Sequence, residues 1–218
     1  MVKQEVLTAL DAVRGRYISG QELAAQLGVS RTAVWKAVAA LRRDGIPIKA
    51  VTNRGYTLAQ SVDVLNAAAV AVQLDETTVK ALQIEVVDRL PGTNAALRSR
   101  ADAGAQEGLV LIAQAQSAGR GRGGHSFYSP PGGLYMSILL RPEIGARQAV
   151  GLTAMAAVAA ARAAERLCGV PITIKWVNDL WKNGKKVCGI LTEAGTDLES
   201  GQLEWLVVGI GLNLTSTA

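Results

Sequence analysis

The chain is poor in the residues that most often betray a reactive centre: 218 residues contain one histidine, two cysteines and one phenylalanine. Cys168 and Cys188 are far apart, with no CxxC spacing and no histidine nearby. That argues against structural zinc and for a reduced, cytoplasmic protein. The single histidine, His125, has no serine, cysteine or aspartate partner that the sequence identifies, so it reads as a loop residue and not as a base. Long apolar runs are missing too. The alanine-rich stretch 149–161 ends at Arg162, too short and too weakly hydrophobic to span a bilayer. No secretory leader precedes the first helical pattern, so the expectation is a soluble chain without a membrane partner.

What the chain has in quantity is apolar residues, at 49%, enough for a genuine core in one large domain or two smaller ones. Its positive charge is localised. Residues 1–60 hold nine Lys or Arg against four Asp or Glu, whereas the remainder balances at fourteen each. A basic segment joined to a neutral one implies that only the first part meets a polyanion such as DNA.

In residues 1–60, Val6, Leu7, Leu10 and Val13 recur at helical spacing and stop near Gly15. Ser19 and Glu22 form a capping box for a second helix that ends at Gly28, and Ser30 caps a third, Arg31 to Arg43. Turning Val34, Val38 and Leu41 inward leaves Arg31, Thr32, Trp35, Lys36, Arg42 and Arg43 outside, a helix-turn-helix pattern. IPIKAVTNRGYTL then alternates, turns at Asn53 to Gly55 and alternates again, a hairpin wing carrying Lys49 and Arg54. The unit reads as a winged helix that binds DNA, against the blander reading of a helical cap with a solvated basic face.

A linking helix is expected from about Val62 to Leu74, with the domain boundary near Gln60, giving domains 1–60 and 61–218. The second domain has strand candidates at Gln83–Arg89, Leu109–Gln114, Leu134–Leu140, Ile172–Trp176, Lys185–Thr192 and Leu203–Leu212. Helices are expected at Thr93–Ala103 and Gln148–Cys168, the second alanine-rich enough to pack closely on a sheet. Strands with helices on one face make this an α+β fold. Asn183-Gly184 signals a type I′ hairpin that places Lys186 early on the returning strand.

The stretch QSAGRGRGGHSFYSPPGG, Gln116 to Gly133, carries the chemistry. Gly119, Gly121 and Gly124 satisfy GxGxxG formally, but HSFYSPP follows where a dinucleotide fold needs a helix N-terminus, and no Gly-Lys-Ser/Thr makes a Walker loop. Instead, Arg120 and Arg122 alternate with glycines and can grip a carboxylate or phosphate while the main chain stays close. Their bland reading is a solvated basic turn. Phe127 and Tyr128 can close over a ligand or merely anchor the loop. Asn178 and Asp179 stand at a strand end. Asp179 is a candidate Mg²⁺ ligand or a turn cap. Lys186 precedes the apolar VCGIL, and a partly buried ammonium wants an anionic partner; Cys188 reads as a small core residue.

QSAGRGRGGHSFYSPPGGLYMSILLRP, KWVNDLW, GKKVCGILTE and VVGIGLNL resemble the successive motifs of biotin protein ligases. The N-terminal winged helix resembles that of the bifunctional ligase and biotin-operon repressor subclass. The resemblance covers nearly the whole chain. It implies a mixed-sheet, class II synthetase-like catalytic domain that makes biotinyl-5′-AMP from biotin and MgATP and passes the biotin to a lysine of a biotin carboxyl carrier protein. Residue by residue it implies that Gly92, Thr93, Asn94 and Gln116 contact biotin. Arg120, Gly121 and Arg122 would close over biotin and adenylate, and Lys186 would contact ligand oxygens. Phe127, Asn178 and Asn213 would approach the adenylate. It also implies operator DNA as a partner, read by Arg31, Thr32, Trp35, Lys36, Arg42 and Arg54, and a ligand-promoted homodimer.

The departures have consequences. Trp176-Val177-Asn178-Asp179 replaces the usual W-P-N-D, and Gly92 replaces a serine whose hydroxyl would meet biotin. His125 and Phe127 stand where arginine and tryptophan are common. The chain stops at Ala218, soon after VVGIGLNL, so the family's adenylate-covering segment and small C-terminal β-barrel are expected to be missing from it. A non-catalytic biotin-sensing DNA-binding regulator and a lipoate or octanoyl ligase relative are the alternative readings.

Overall fold

A computed structural model describes residues 2–43, 46–58, 65–71, 73–197 and 202–215. The chain divides into two compact units, Met1–Glu76 and Thr77–Ala218. The boundary expected near Gln60 lies outside the described residues.

The first unit contains α1 (Val2–Ala12), α2 (Gly20–Leu27) and α3 (Arg31–Arg43), then the hairpin β1 (Ile48–Val51) and β2 (Gly55–Leu58). Local chemistry sets its corners. The capping box is formed: Glu22 N–H donates to Ser19 Oγ at 3.0 Å, and the Ser19 N–H donates to Glu22 Oε2 at 2.8 Å. Ser30 Oγ accepts from Ala33 N at 3.1 Å and starts α3, while Gly28 ends α2 in the left-handed region. Val6, Leu10, Leu23, Val34, Val38, Leu41, Ile48 and Leu58 share one buried core. Ile18 exchanges both backbone hydrogen bonds with Tyr56, pinning the α1–α2 connection to the wing. Gly55 has φ +93, and a Cβ there would collide with the Ile18 carbonyl, so only glycine lets the wing turn beside that strand-like pairing.

The expected linking helix is shorter than its apolar pattern suggested. Helix is found at α4 (Ala67–Ala71), with Asn66 Oδ1 accepting from Ala69 N at 2.9 Å; residues 61–64 lie outside the described residues. A separate short helix, α5 (Glu76–Ala81), follows.

In the second unit β3 (Gln83–Leu90), α6 (Thr93–Asp102), β4 (Leu109–Gln116), β5 (Gly133–Leu140) and α7 (Ala146–Cys168) precede β6 (Thr173–Lys175), β7 (Asp179–Lys182), β8 (Lys185–Thr196) and β9 (Leu203–Asn213). The seven strands form one mixed sheet in the order β3-β4-β5-β9-β8-β7-β6, with only β3 and β4 parallel. Asn183 and Gly184 both have positive φ between β7 and β8, as a type I′ turn requires. One register row crosses the whole sheet: Val87, Ala113, Tyr135, Gly211, Gly189, Asp179 and Lys175 stand opposite one another in turn.

The helices do not share a face. Trp205 and Val207 of β9 pack with α6, whereas Leu206 and Val208 pack with the α7 side, where Ala157 is fully buried. The reason is legible in β9 itself, whose central LVV is apolar at every position: a strand covered on both faces loses the alternation that would mark one of them.

Candidate functional site

A pocket of about 200 Å³ opens on the α6 face of β5, β9 and β8. Missing side chains make its floor. Tyr135, Gly211 and Gly189 lie directly opposite one another on three adjacent strands. The Phe127 ring rests on the two glycines, for a Cβ would come within 2.5 Å of it at Gly211 and 3.0 Å at Gly189. Tyr135 meets the same ring edge-on at 6.4 Å. Two residues back along β9, Gly209 leaves room for the side chain of Asn94, which a Cβ would strike.

Asn94 lies in a closed set of hydrogen bonds at the start of α6. Its Nδ2 donates to the Leu191 carbonyl at 3.1 Å and to Glu193 Oε2 at 2.8 Å. Glu193 is in turn paired with Arg98, Oε1 to Nη1, at 2.7 Å. The fully buried Ser137 hydroxyl lies 2.6 Å from Asn94 Oδ1 and 2.7 Å from Thr93 Oγ1. Thr93 donates to Gln116 Oε1 from its N–H at 2.8 Å and its hydroxyl at 3.2 Å; Gln116 Nε2 donates to Ser129 Oγ at 2.9 Å. The orientation of both amides is thereby set. Gly92, N-cap of α6, offers no side-chain cap; it, Thr93, Asn94 and Gln116 all line the pocket.

From Gln116 the chain folds back as an irregular hairpin. Gly121 N donates to the His125 carbonyl at 2.7 Å and Phe127 N to the Gly119 carbonyl at 2.8 Å, with a 3-10 turn at Arg122–Gly124 as the tip. Ser129 Oγ donates to the Phe127 carbonyl at 2.9 Å, tying the ring's backbone to Gln116. Arg120, Gly121 and Arg122 line the pocket. Both arginines are exposed and have no carboxylate partner among the described residues, so their charge is free for an anion.

Lys186 approaches from β8. Its Nζ is 2.8 Å from Asp179 Oδ1 and 6.0 Å from the Phe127 ring centroid, so the anionic partner expected for this ammonium is Asp179. Asp179, the candidate Mg²⁺ ligand or turn cap, is thus held beside Lys186. Its oxygen is engaged by a cation, Asp179 does not line the pocket, and no group of three His, Cys, Asp or Glu suited to a metal occurs among the described residues. Cys188 is buried as expected; burial, against the opposing pull of the Lys186 charge, pushes its thiol up to about 12.

Asn178 lines the pocket, with its Nδ2 donating to the Ile190 carbonyl at 3.1 Å. Asn213 does not line it; it ends β9 opposite Gly133, two residues past the glycine under Phe127. Glu193, Arg98, Ser137 and Ser129 escaped the sequence reading. Their partners lie up to 99 residues away, although a lone serine inside the apolar YMSILL was a usable signal.

In the first unit, burial of Val34, Ala37, Val38 and Leu41 rotates Arg31, Thr32, Trp35, Lys36, Arg42 and Arg43 outward. Arg31, Thr32 and Trp35 border a groove whose other side is the wing, at Val51, Thr52 and Asn53. Arg54 lies over the Tyr17 ring at 4.4 Å.

Residues 86–213 match the model of the biotin/lipoate A/B protein ligase family, and residues 3–57 match a helix-turn-helix domain. The chain is 35% identical over 214 residues to the bifunctional ligase/repressor BirA of Bacillus subtilis (strain 168), covering 98% of this chain and 65% of that protein. To the protein of the same name from Escherichia coli (strain K12) it is 34% identical over 201 residues, 92% of this chain and 60% of the other. It thus spans under two thirds of the length of these relatives. Among solved structures, the biotin protein ligase of Aquifex aeolicus in complex with biotin and ATP superposes with a TM-score of 0.51 at 28% identity, over 62% of this chain and 55% of that one. The biotin protein ligase of Leishmania major in complex with biotin gives 0.53 at 26%, over 62% and 57%.

Proposed function

Because this chain belongs to the biotin/lipoate A/B protein ligase family, we propose that it is a cytoplasmic biotin protein ligase that also acts as a biotin-responsive transcriptional repressor. One observation carries the ligase reading: the Lys186 ammonium and two arginines without acidic partners among the described residues line a pocket in which Gly189, Gly209 and Gly211 let Phe127 and Asn94 lie against the sheet.

Biotin enters with its ring end toward Thr93, Asn94 and Gln116 and its carboxylate toward Lys186. A carboxylate oxygen attacks the α-phosphorus of ATP, the bond to pyrophosphate breaks, and biotinyl-5′-AMP forms. A carboxylate is already a nucleophile, so this step needs orientation and charge neutralisation and no general base, which suits a site without histidine. Arg120, Arg122 and Lys186 supply positive charge; Phe127, Asn178 and Asn213 are assigned to the adenylate. Then the amine of an acceptor lysine on a biotin carboxyl carrier protein attacks the acyl carbon, AMP leaves, and an amide forms. Between the two steps the hairpin from Gly119 to Ser129 keeps water from the mixed anhydride. Mg²⁺ would come with the ATP phosphates and offset their negative charge, and Asp179 is the carboxylate assigned to help hold it.

The basic outer face of α3 and the wing support operator binding, with adenylate favouring a homodimer on a two-fold site. Incubation with biotin, MgATP and a carrier domain, read by mass spectrometry, tests the ligase reading: a biotinylated carrier is expected. Tight biotin binding without transfer would replace it by a non-catalytic sensor, and transfer of lipoate in place of biotin by a lipoate ligase.

A further inference from the structure

The recognition helix places an indole where DNA offers one kind of apolar target. Trp35 is 61% exposed, although it sits between cations and belongs to the outward face of α3 with Arg31 and Thr32. Its direction is set from below: Val34 and Val38 are buried to within 3% and hold the helix rotation. A helical side chain leans toward the N-terminus, so the indole covers the surface near Arg31 and Thr32, in the first turns of the helix. Those turns meet base edges when such a helix enters the major groove, whereas its C-terminal end lies nearer the backbone. Across the groove stands a second exposed hydrophobe, Val51 of the wing strand, at 40%. Two apolar groups thus line the same groove that Arg31 and Thr32 border.

Charged phosphates give such groups nothing to bury against. Of the base edges in the major groove, only thymine presents an apolar group, its C5-methyl. We propose that Trp35 is a specificity residue that reads a thymine methyl in each half-site of the DNA bound by this chain, with Lys36, Arg42 and Arg43 holding the backbone beside it. The proposal rests on the DNA-binding reading of the first unit and adds the base feature that is recognised.

The test uses the full chain. Binding sites are selected from random duplexes, and each thymine of the selected half-site is then replaced in turn by deoxyuridine, which removes the methyl and keeps every hydrogen-bonding group. Wild type is expected to lose affinity by about fourfold at one position, the value of one methyl returned to water. Trp35→Ala is expected to bind that site more weakly with no further loss on the uridine exchange, while Trp35→Phe keeps the discrimination. The salt dependence of binding should be the same for all three proteins, since every Lys and Arg is kept. A uridine penalty that survives Trp35→Ala, or no penalty at any position, overturns the proposal alone. Failure of wild type to enrich any sequence overturns the DNA-binding reading and the proposal with it.

Discussion

Asn94 occupies the space that a side chain at residue 209 would fill. The amide of the first α6 turn lies flat on β9 because Gly209 has no Cβ to meet it, and Ser137, Leu191 and Glu193 then hold it there. Gly209→Ala is expected to push Asn94 off all three partners. The cost should be about 1–3 kcal/mol of stability from overpacking, and biotin binding should weaken about tenfold or more through the unsatisfied polar groups. Thermal unfolding and titration calorimetry read the two effects separately, and an unchanged affinity would remove Asn94 from the ligand site.

Lys186→Met should reduce biotin-dependent pyrophosphate release from ATP by about 10²–10³-fold, the usual loss when one charge-stabilising donor is removed. Its effect on folding should be about 1–3 kcal/mol, because the Asp179 oxygen that faces the ammonium is buried and would be left without a partner. Equal losses of activity and stability would make Lys186 structural.

Gly92→Ser has room: the nearest atoms to a new Cβ are the Ala118 carbonyl oxygen at 3.7 Å and Gln116 Oε1 at 3.9 Å. Its φ of −171 is extended backbone open to any residue. The hydroxyl gives α6 the cap it lacks, worth about 0.3 kcal/mol over glycine, and stands beside Gln116 at the pocket wall. Slower biotin release is expected by stopped-flow; faster release would show that the wall tolerates no hydroxyl.

Replacing Arg31, Lys36 and Arg42 by alanine should flatten the log–log dependence of DNA affinity on salt by about 0.9 for each phosphate that is no longer neutralised. All three are exposed on α3, so the fold should be retained and circular dichroism unchanged. A slope identical to wild type would leave this face as solvated surface.

Cys188 carries a pH signature. Burial raises its thiol from an ordinary 9.0 to about 12, so between these values the unfolded chain has lost a proton that the folded chain keeps. Stability is therefore full below pH 9 and falls as pH rises toward 12. Denaturant titrations from about pH 8 to about pH 11 should show the decline, and Cys188→Ala should shrink it. In native protein a thiol reagent should label exposed Cys168 and spare Cys188.

How far the chain could be read in advance depended on the range of the interactions. Caps, turns and helix faces are local, so Ser19, Glu22, Gly28, Ser30 and the Asn183-Gly184 turn stood where spacing placed them. Lys186 was identified as needing an anion, but which one depended on β7 and β8 pairing across that turn, which sets Asp179 against the ammonium. The two-sided burial of β9 hid which helix covers which face. The network from Arg98 through Glu193, Asn94, Ser137 and Thr93 to Gln116 joins α6 to three strands and has no local pattern. Only the glycine alternation of VVGIGLNL hinted that something was to lie on that strand.

The floor of Gly189, Gly209 and Gly211 constrains what redesign could do with this site. Glycine is the smallest residue there is, so no substitution at these three positions can deepen the pocket, and every one makes it shallower. Space for a bulkier ligand has to come from the roof, by trimming Phe127 or moving the hairpin that carries it. Selectivity here can be narrowed from below and widened only from above.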